Sequence, residues 1–353
     1  MIFSLTFFHR SSVLLALYLL LVACAPQSEL KTNNDPSKYS LTEDVRWSSP
    51  DGFDLTMDIY TPLRQREAYP VLVMFHGGGW LMNDNSIMDQ AAAYIATNSD
   101  YVVCNVNYRL LSDNENTTTL DEIVGDAFGA LLWVKENIIA YQGDKTRIAV
   151  TGDSAGAHLA AMIVNTDSQL SSEVFSESSP KFSPSYLPNS MSAESVREVN
   201  GLSVQAAVLS YGLYDLYQVD IGVFESMRNP LWWINWSMAR GFFGDGYSVV
   251  EQPSMYKAVS PLHNIPDAKK RMLPPQLLTV GSEDPVVTPE SVKHYLRMLQ
   301  VAGQKVSYWE YEGKSHAFLD SGSNSFLGSS FESDAPKALD VMISFLNKIF
   351  YPP

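Results

Sequence analysis

Cysteine is almost missing from this chain: two in 353 residues, Cys24 and Cys104. Cys104 lies in the apolar run Tyr101-Val102-Val103-Cys104 and reads as a small buried core residue. A disulfide framework is therefore excluded, and no Cys/His spacing suits zinc. Positive charge is also scarce, with 24 Lys and Arg against 39 Asp and Glu and a formal net charge of −15. Such a surface repels phosphate backbones, which excludes nucleic acid as a partner. Charged residues of both signs make up only 18% of the chain and apolar residues 46%. General disorder is excluded by that balance, and a large core is expected. There is no internal repeat, and no apolar run reaches the length of a comfortable bilayer span.

What is present begins at the N-terminus. Arg10 precedes the apolar run Val13–Ala23, which ends Leu21-Val22-Ala23-Cys24. A charged start, a short apolar core and a small residue before a cleavage point describe a secretory signal. The pattern resembles a bacterial lipoprotein signal, in which Cys24 becomes the lipidated first residue. Residues 1–23 would then be removed and residues 24–40 would form a polar tether. The alternative is an ordinary signal cleaved near Ala25, with Cys24 discarded. The lipoprotein reading implies an exported protein held to a membrane of the bacterial envelope by its lipid; the alternative implies a periplasmic or secreted one.

From residue 41 to the end, strand-like and helix-like patterns alternate. Leu55, Met57 and Ile59 alternate with polar residues, as in a half-buried antiparallel strand. Val71–Phe75, Tyr101–Val106, Ile148–Val150, Val204–Leu209 and Gln276–Val280 read as buried strands, and Val306–Tyr311 alternates like a strand. Leu120–Ile139, Ala155–Val164, Glu290–Gly303 and Ala335–Ile349 read as helices. This alternation predicts an α/β fold, a mostly parallel sheet with helices on both faces. Two stretches interrupt it. A surface insertion over 165–202 contains Ser168–Ser195, with eleven serines and three prolines, and is expected to be partly disordered. Residues 214–264 are rich in aromatics, among them Trp232, Trp233, Trp236, Phe242 and Phe243, and are a candidate cap. The three tryptophans read as cap core or as the lining of an apolar pocket.

Two motifs carry chemistry. Gly152-Asp153-Ser154-Ala155-Gly156 stands between a strand and a helix, the context that the G-x-S-x-G nucleophile elbow requires. His76-Gly77-Gly78-Gly79-Trp80 follows directly on the strand Val71–Phe75. Glycines there let backbone N–H groups approach a carbonyl oxygen that gains negative charge during acyl transfer.

Together the two motifs resemble the α/β-hydrolase esterases with an HGGG oxyanion loop. These include the hormone-sensitive-lipase-like enzymes and a branch resembling bacterial feruloyl and acetyl-xylan esterases. Asn107-Tyr108-Arg109-Leu110 is similar to the tyrosine–arginine element of the same proteins, and the likeness runs from about Asp51 to Leu346. Where the lipase-like branch continues Ala-Pro, this chain has Leu111-Ser112, which tilts the resemblance toward the feruloyl or acetyl esterase-like branch.

The resemblance implies a fold with cap insertions and a serine nucleophile, acid and histidine in that chain order. Asp284, before Pro285 and Val286, matches the acid position, with Glu283 as the alternative. His316, after the last strand, matches the base. His294 lies mid-helix and reads as surface or packing, His76 as a brace of the glycine loop, His158 as a support one turn beyond Ser154, and His263 as a loop residue. Asp153 is expected to bond nearby backbone. The implied chemistry is ester hydrolysis through an acyl-enzyme. The oxyanion would be held by the N–H groups of Gly77 or Gly78 and of Ala155, with Trp80 a candidate for the substrate pocket. It calls for no cofactor and no metal, and its partner is a small-molecule ester. An amidase or formamidase with the same triad, a lipase using the aromatic cap as a lid, and a non-catalytic binding scaffold are the rival readings.

Overall fold

A computed structural model describes residues 37–189, 191–217 and 221–352. Cys24, the signal segment and nearly all of the tether lie outside the described residues.

The backbone of the fold is one eight-stranded sheet. Its strands are β1 (Tyr39–Ser48), β2 (Leu55–Pro62), β3 (Tyr69–Phe75), β4 (Val102–Val106), β5 (Gly143–Asp153), β6 (Ala206–Ser210), β7 (Gln276–Gly281) and β8 (Val306–Tyr311). They lie in the order β1-β2-β4-β3-β5-β6-β7-β8. The β1–β2 and β2–β4 pairs are antiparallel, and every pair from β4 to β8 is parallel. The residues explain the division. β3, β4, β6 and β7 are buried along their whole length, as a parallel strand covered by helices on both faces must be. β1 buries only Tyr39 and Trp47 and stands at the edge. Its polar sequence gives no strand signal, so the tether expected to run to residue 40 meets the sheet at Tyr39.

The covering helices are α1 (Asp89–Asn98), α2 (Leu120–Asn137), α3 (Ala155–Asn165), α4 (Pro289–Val301) and α5 (Phe331–Phe350). α2 starts where the carboxylate of Glu122 accepts the Thr119 N–H at 2.7 Å, one half of a capping box. α5 begins four residues before the sequence pattern suggests, and Pro336 lies within its first turns.

The serine-rich stretch departs from expectation, because it is packed rather than loose. The Phe182 ring stands edge-on to Phe128 of α2 at 5.6 Å and against Phe175 at 5.2 Å. Ser185 N–H donates to the Gly125 carbonyl at 3.1 Å. A Cβ at Gly125 would strike the backbone of Ser183, and one at Gly129 would crowd Ser185 and Tyr186. The two glycines thus form the groove that takes this segment, a feature that composition alone does not reveal.

Candidate active site

Five neighbouring strands, β3, β5, β6, β7 and β8, are parallel, so their C-terminal ends meet at one edge of the sheet. The chain winds outward from β3 to β4, then returns across β3 to β5. At such a reversal the loops diverge and leave a crevice beside the strand ends. The glycine loop leaves β3 and the elbow leaves β5, one on each side of that crevice.

Ser154 joins β5 to α3 with φ 49° and ψ −116°, a conformation that few residues other than glycine adopt. Its own N–H donates to the Ser210 carbonyl at 2.9 Å, which ties the turn to the end of β6. The turn is possible because its flanks are small. A Cβ at Gly156 would collide with the carbonyl of Phe75 in β3, and one at Gly152 with the Gly156 backbone. α3 then extends away from the serine, with its N-terminal amides near the hydroxyl.

Asp284 and His316 arrive from the loops after β7 and β8. His316 Nδ1 lies 2.7 Å from Asp284 Oδ2, and His316 Nε2 lies 3.1 Å from Ser154 Oγ. The other carboxylate oxygen, Asp284 Oδ1, accepts the N–H groups of Val286 and Val287, both at 2.8 Å. The acid is therefore buried and fully bonded, which fixes the tautomer with the proton on Nδ1 and leaves Nε2 as acceptor for the serine hydroxyl. The two loops are stitched together by Glu283 N–H donating to the Lys314 carbonyl at 2.9 Å. Glu283 itself is exposed, so the neighbouring carboxylate in the sequence does not reach the histidine.

The glycine loop is braced from below. Tyr108 donates its hydroxyl to the His76 carbonyl at 2.6 Å and stacks on the His76 ring, with centroids 4.3 Å apart. Arg109 clamps Asp126 of α2 through two bonds of 2.9 Å, a buried pair that anchors the turn after β4. Gly78 has φ +121°, and a Cβ there would enter the Met82 carbonyl. The Gly77 amide faces the Asp153 carboxylate and favours its charged form. Burial holds His76 well below the usual imidazole range, at about 4, so it is neutral and its Nδ1 lies 2.7 Å from the Gly77 carbonyl.

The remaining candidates fall outside the triad. His158 is buried, its Nε2 lies 2.7 Å from the Val259 carbonyl, and burial lowers it to about 4. His263 pairs with Asp215 at 3.1 Å, and His294 is half-buried on α4. Trp80 is 1% exposed and boxed in by His158, Phe224 and Phe242, with ring centroids 5.0, 5.9 and 5.6 Å away. Of the cap tryptophans, Trp232 is buried, Trp233 is partly exposed and Trp236 is 97% exposed. Among the described residues no group of three or more His, Cys, Asp or Glu is placed to hold a metal ion.

Two residues of the site were not singled out by sequence. Tyr211, after β6, sets its ring edge-on to His316 at 4.7 Å, and its hydroxyl accepts the Leu319 N–H at 3.2 Å. Asp320, four residues after His316, carries a buried carboxylate oxygen and feels the charge of Asp153. Strand order brings Tyr211 there by placing the end of β6 between those of β5 and β7, and Asp320 arrives on the loop after β8 that also carries His316.

A parallel sheet with a strained serine elbow, an HGGG loop on the adjacent strand and an Asp–His pair on later strands defines an α/β-hydrolase fold. The BD-FAE family model matches residues 57–299, and the chain belongs to that family of α/β-hydrolase esterases. Esterase LipQ of Mycobacterium tuberculosis is 28% identical over 280 residues, which cover 78% of this chain and 57% of that protein. Isoprenylcysteine alpha-carbonyl methylesterase ICME of Arabidopsis thaliana is 27% identical over 267 residues, covering 74% of this chain and 54% of its own length. The chain thus spans little more than half the length of these relatives. Among solved structures, the apo form of Thermogutta terrifontis esterase 2 superposes with a TM-score of 0.63 at 22% identity, covering 89% of this chain and 96% of that one, a likeness of fold.

Proposed function

We propose that the chain hydrolyses carboxylic esters through an acyl-enzyme on Ser154. The observation that carries this reading is the unbroken sequence of contacts Asp284–His316–Ser154, at 2.7 and 3.1 Å. Ser154 Oγ attacks the ester carbonyl carbon as its proton passes to His316 Nε2. The C=O bond becomes a C–O⁻ and the tetrahedral centre forms. The Gly77 amide is engaged with Asp153, which leaves the amides of Gly78 and Ala155 to receive the oxyanion. Its collapse expels the alcohol, which takes the proton from Nε2. Water then attacks the acyl-enzyme, giving its proton to His316, and the acid leaves as Ser154 regains its hydroxyl.

Short acyl groups suit this site best, and carbohydrate or aromatic alcohols fit the resemblance to feruloyl and acetyl-xylan esterases. The enclosure of Trp80 beneath Phe224 and Phe242 supports the short acyl chain, because rings already occupy the space above the glycine loop. A panel of p-nitrophenyl esters of rising length, with acetylated xylan and methyl ferulate, tests the reading. Ser154→Ala is expected to lower kcat by at least ~1,000-fold on every substrate cleaved. Unchanged hydrolysis in that variant would remove Ser154 from the mechanism.

We also propose that Cys24 carries a lipid that anchors the mature chain to a bacterial envelope membrane, as the run Leu21-Val22-Ala23-Cys24 supports. Metabolic labelling with a radioactive fatty acid should mark the wild type and not Cys24→Ala. Equal labelling, or none in either, would dismiss the anchor.

A further inference from the structure

The end of β6 ties together the elements that carry the triad. Ser210, its last residue, accepts the Ser154 N–H on its carbonyl at 2.9 Å. The Ser210 hydroxyl also accepts from the Thr279 hydroxyl of β7 at 2.9 Å. Tyr211 follows and donates its N–H to the Thr279 carbonyl at 2.6 Å, on the strand that leads into the turn of Asp284.

The Tyr211 side chain adds the third element, the loop after β8. Its ring is 0% exposed and meets the His316 imidazole at 4.7 Å between centroids, with 64° between the planes. The same ring meets Phe318 at 4.7 Å and 72°, and the hydroxyl accepts the Leu319 N–H at 3.2 Å. Among the described residues, that is the one hydrogen bond holding the backbone of residues 316–319 to another element of the fold. Tyr211 does this from φ 39°, where residues other than glycine are strained. Glycine would relax the backbone and supply no ring.

His316 must accept the proton of Ser154 Oγ, pass it to the leaving alcohol, and repeat the transfer with water. Asp284 fixes the Nδ1 end of the imidazole at 2.7 Å, while Nε2 reaches Ser154 Oγ at 3.1 Å. Torsion about the side-chain bonds can still tip Nε2 out of line, and a misplacement of about 1 Å can cost on the order of 100-fold in rate. A ring set against the imidazole removes that freedom. We propose that Tyr211 is a positioning residue that keeps His316 in line with Ser154, its ring by bearing on the imidazole and its hydroxyl by fixing Leu319. Being wholly buried, it offers no surface to a substrate and acts through His316.

The inference rests on the mechanism proposed for Ser154 and His316. His316 takes the same part in forming and in breaking the acyl-enzyme, so loosening it slows both steps and leaves ester binding alone. Tyr211→Phe keeps the ring and removes the bond to Leu319. Its kcat on p-nitrophenyl acetate is expected to fall about three- to fivefold at unchanged KM, the scale of one lost hydrogen bond. Tyr211→Leu keeps an apolar side chain and removes the ring. Its kcat is expected to fall by at least ~tenfold, with acylation and deacylation slowed alike in single-turnover measurements.

Proton NMR gives an arm independent of turnover. The Nδ1–H that His316 donates to Asp284 sits in a buried, charge-assisted bond and should give a downfield resonance, missing in His316→Gln. The resonance is expected to broaden in Tyr211→Phe and more so in Tyr211→Leu, as a looser imidazole exchanges its proton faster with water. Circular dichroism melts identify the folded variants, and Tyr211→Phe carries the test if Tyr211→Leu does not fold. A folded Tyr211→Phe with wild-type kcat and an equally sharp resonance would overturn the proposal, as would a folded Tyr211→Leu whose loss lies in KM alone. A Ser154→Ala variant that still hydrolyses esters would instead overturn the mechanism and leave the resonance to judge Tyr211.

Discussion

At the scale of single residues, part of the backbone strain lies in the loops that follow the parallel strands of the sheet. Trp80, Ser154, Tyr211 and Ala317 have φ of 58°, 49°, 39° and 61°. Each such non-glycine residue costs about 1–3 kcal/mol and persists where its surroundings hold it. Ser154 and Tyr211 follow directly on β5 and β6, and Trp80 and Ala317 lie in the loops after β3 and β8. His76 and His158, lowered to about 4 by burial, are neutral when folded. In the unfolded chain an imidazole titrates near pH ~6.5. The stability that each neutral ring brings is whole above that value and is lost as pH falls toward 4, by up to about 3 kcal/mol apiece. Relative to His158→Gln, where nothing titrates at that position, wild-type Tm should drop as pH falls from 6.5 to 4. Melts followed by circular dichroism check this, and equal slopes would show that His158 does not charge on unfolding.

At the scale of elements, the site depends on close approach. α3 presses its first turn onto β3 because Gly156 has no side chain, and the loops after β7 and β8 meet because a Cβ on Gly281 would strike Lys314. The short helix Pro230–Ile234 lies on the glycine loop, with Leu231 over Gly79 and Asn235 Nδ2 donating to the Leu81 carbonyl. Its inner face carries Trp232 and its outer face Trp233, so one helix contributes both cap core and surface. Phe224, beside Gly79 and Trp80, is the ring that bounds the space above the loop. Phe224→Ala should open that space. The ratio of kcat/KM for a hexanoate ester to that for an acetate ester is expected to rise about tenfold, the scale of added methylene contacts. An unchanged ratio would place the acyl chain elsewhere.

At the scale of the whole molecule, the sequence by itself determined the parts whose physics is local. Glycines spaced for a tight turn mark the strand-to-helix turn at Ser154 and the loop after β3, and continuous apolar runs mark buried strands, because backbone sterics and side-chain period act over a few residues. Val306–Tyr311 is legible as a strand in the sequence, whereas β1 and α1 are not, the first because Tyr39–Ser48 is mostly polar and exposed. Only the tertiary structure decided which candidates meet. Asp284 and Glu283 are adjacent in the chain, yet the turn after β7 sends one inward and the other to solvent. The groove at Gly125 and Gly129 and the edge of Tyr211 on His316 both join residues remote in sequence. Such meetings depend on strand order and on which backbones touch, and no window of neighbouring residues contains that information.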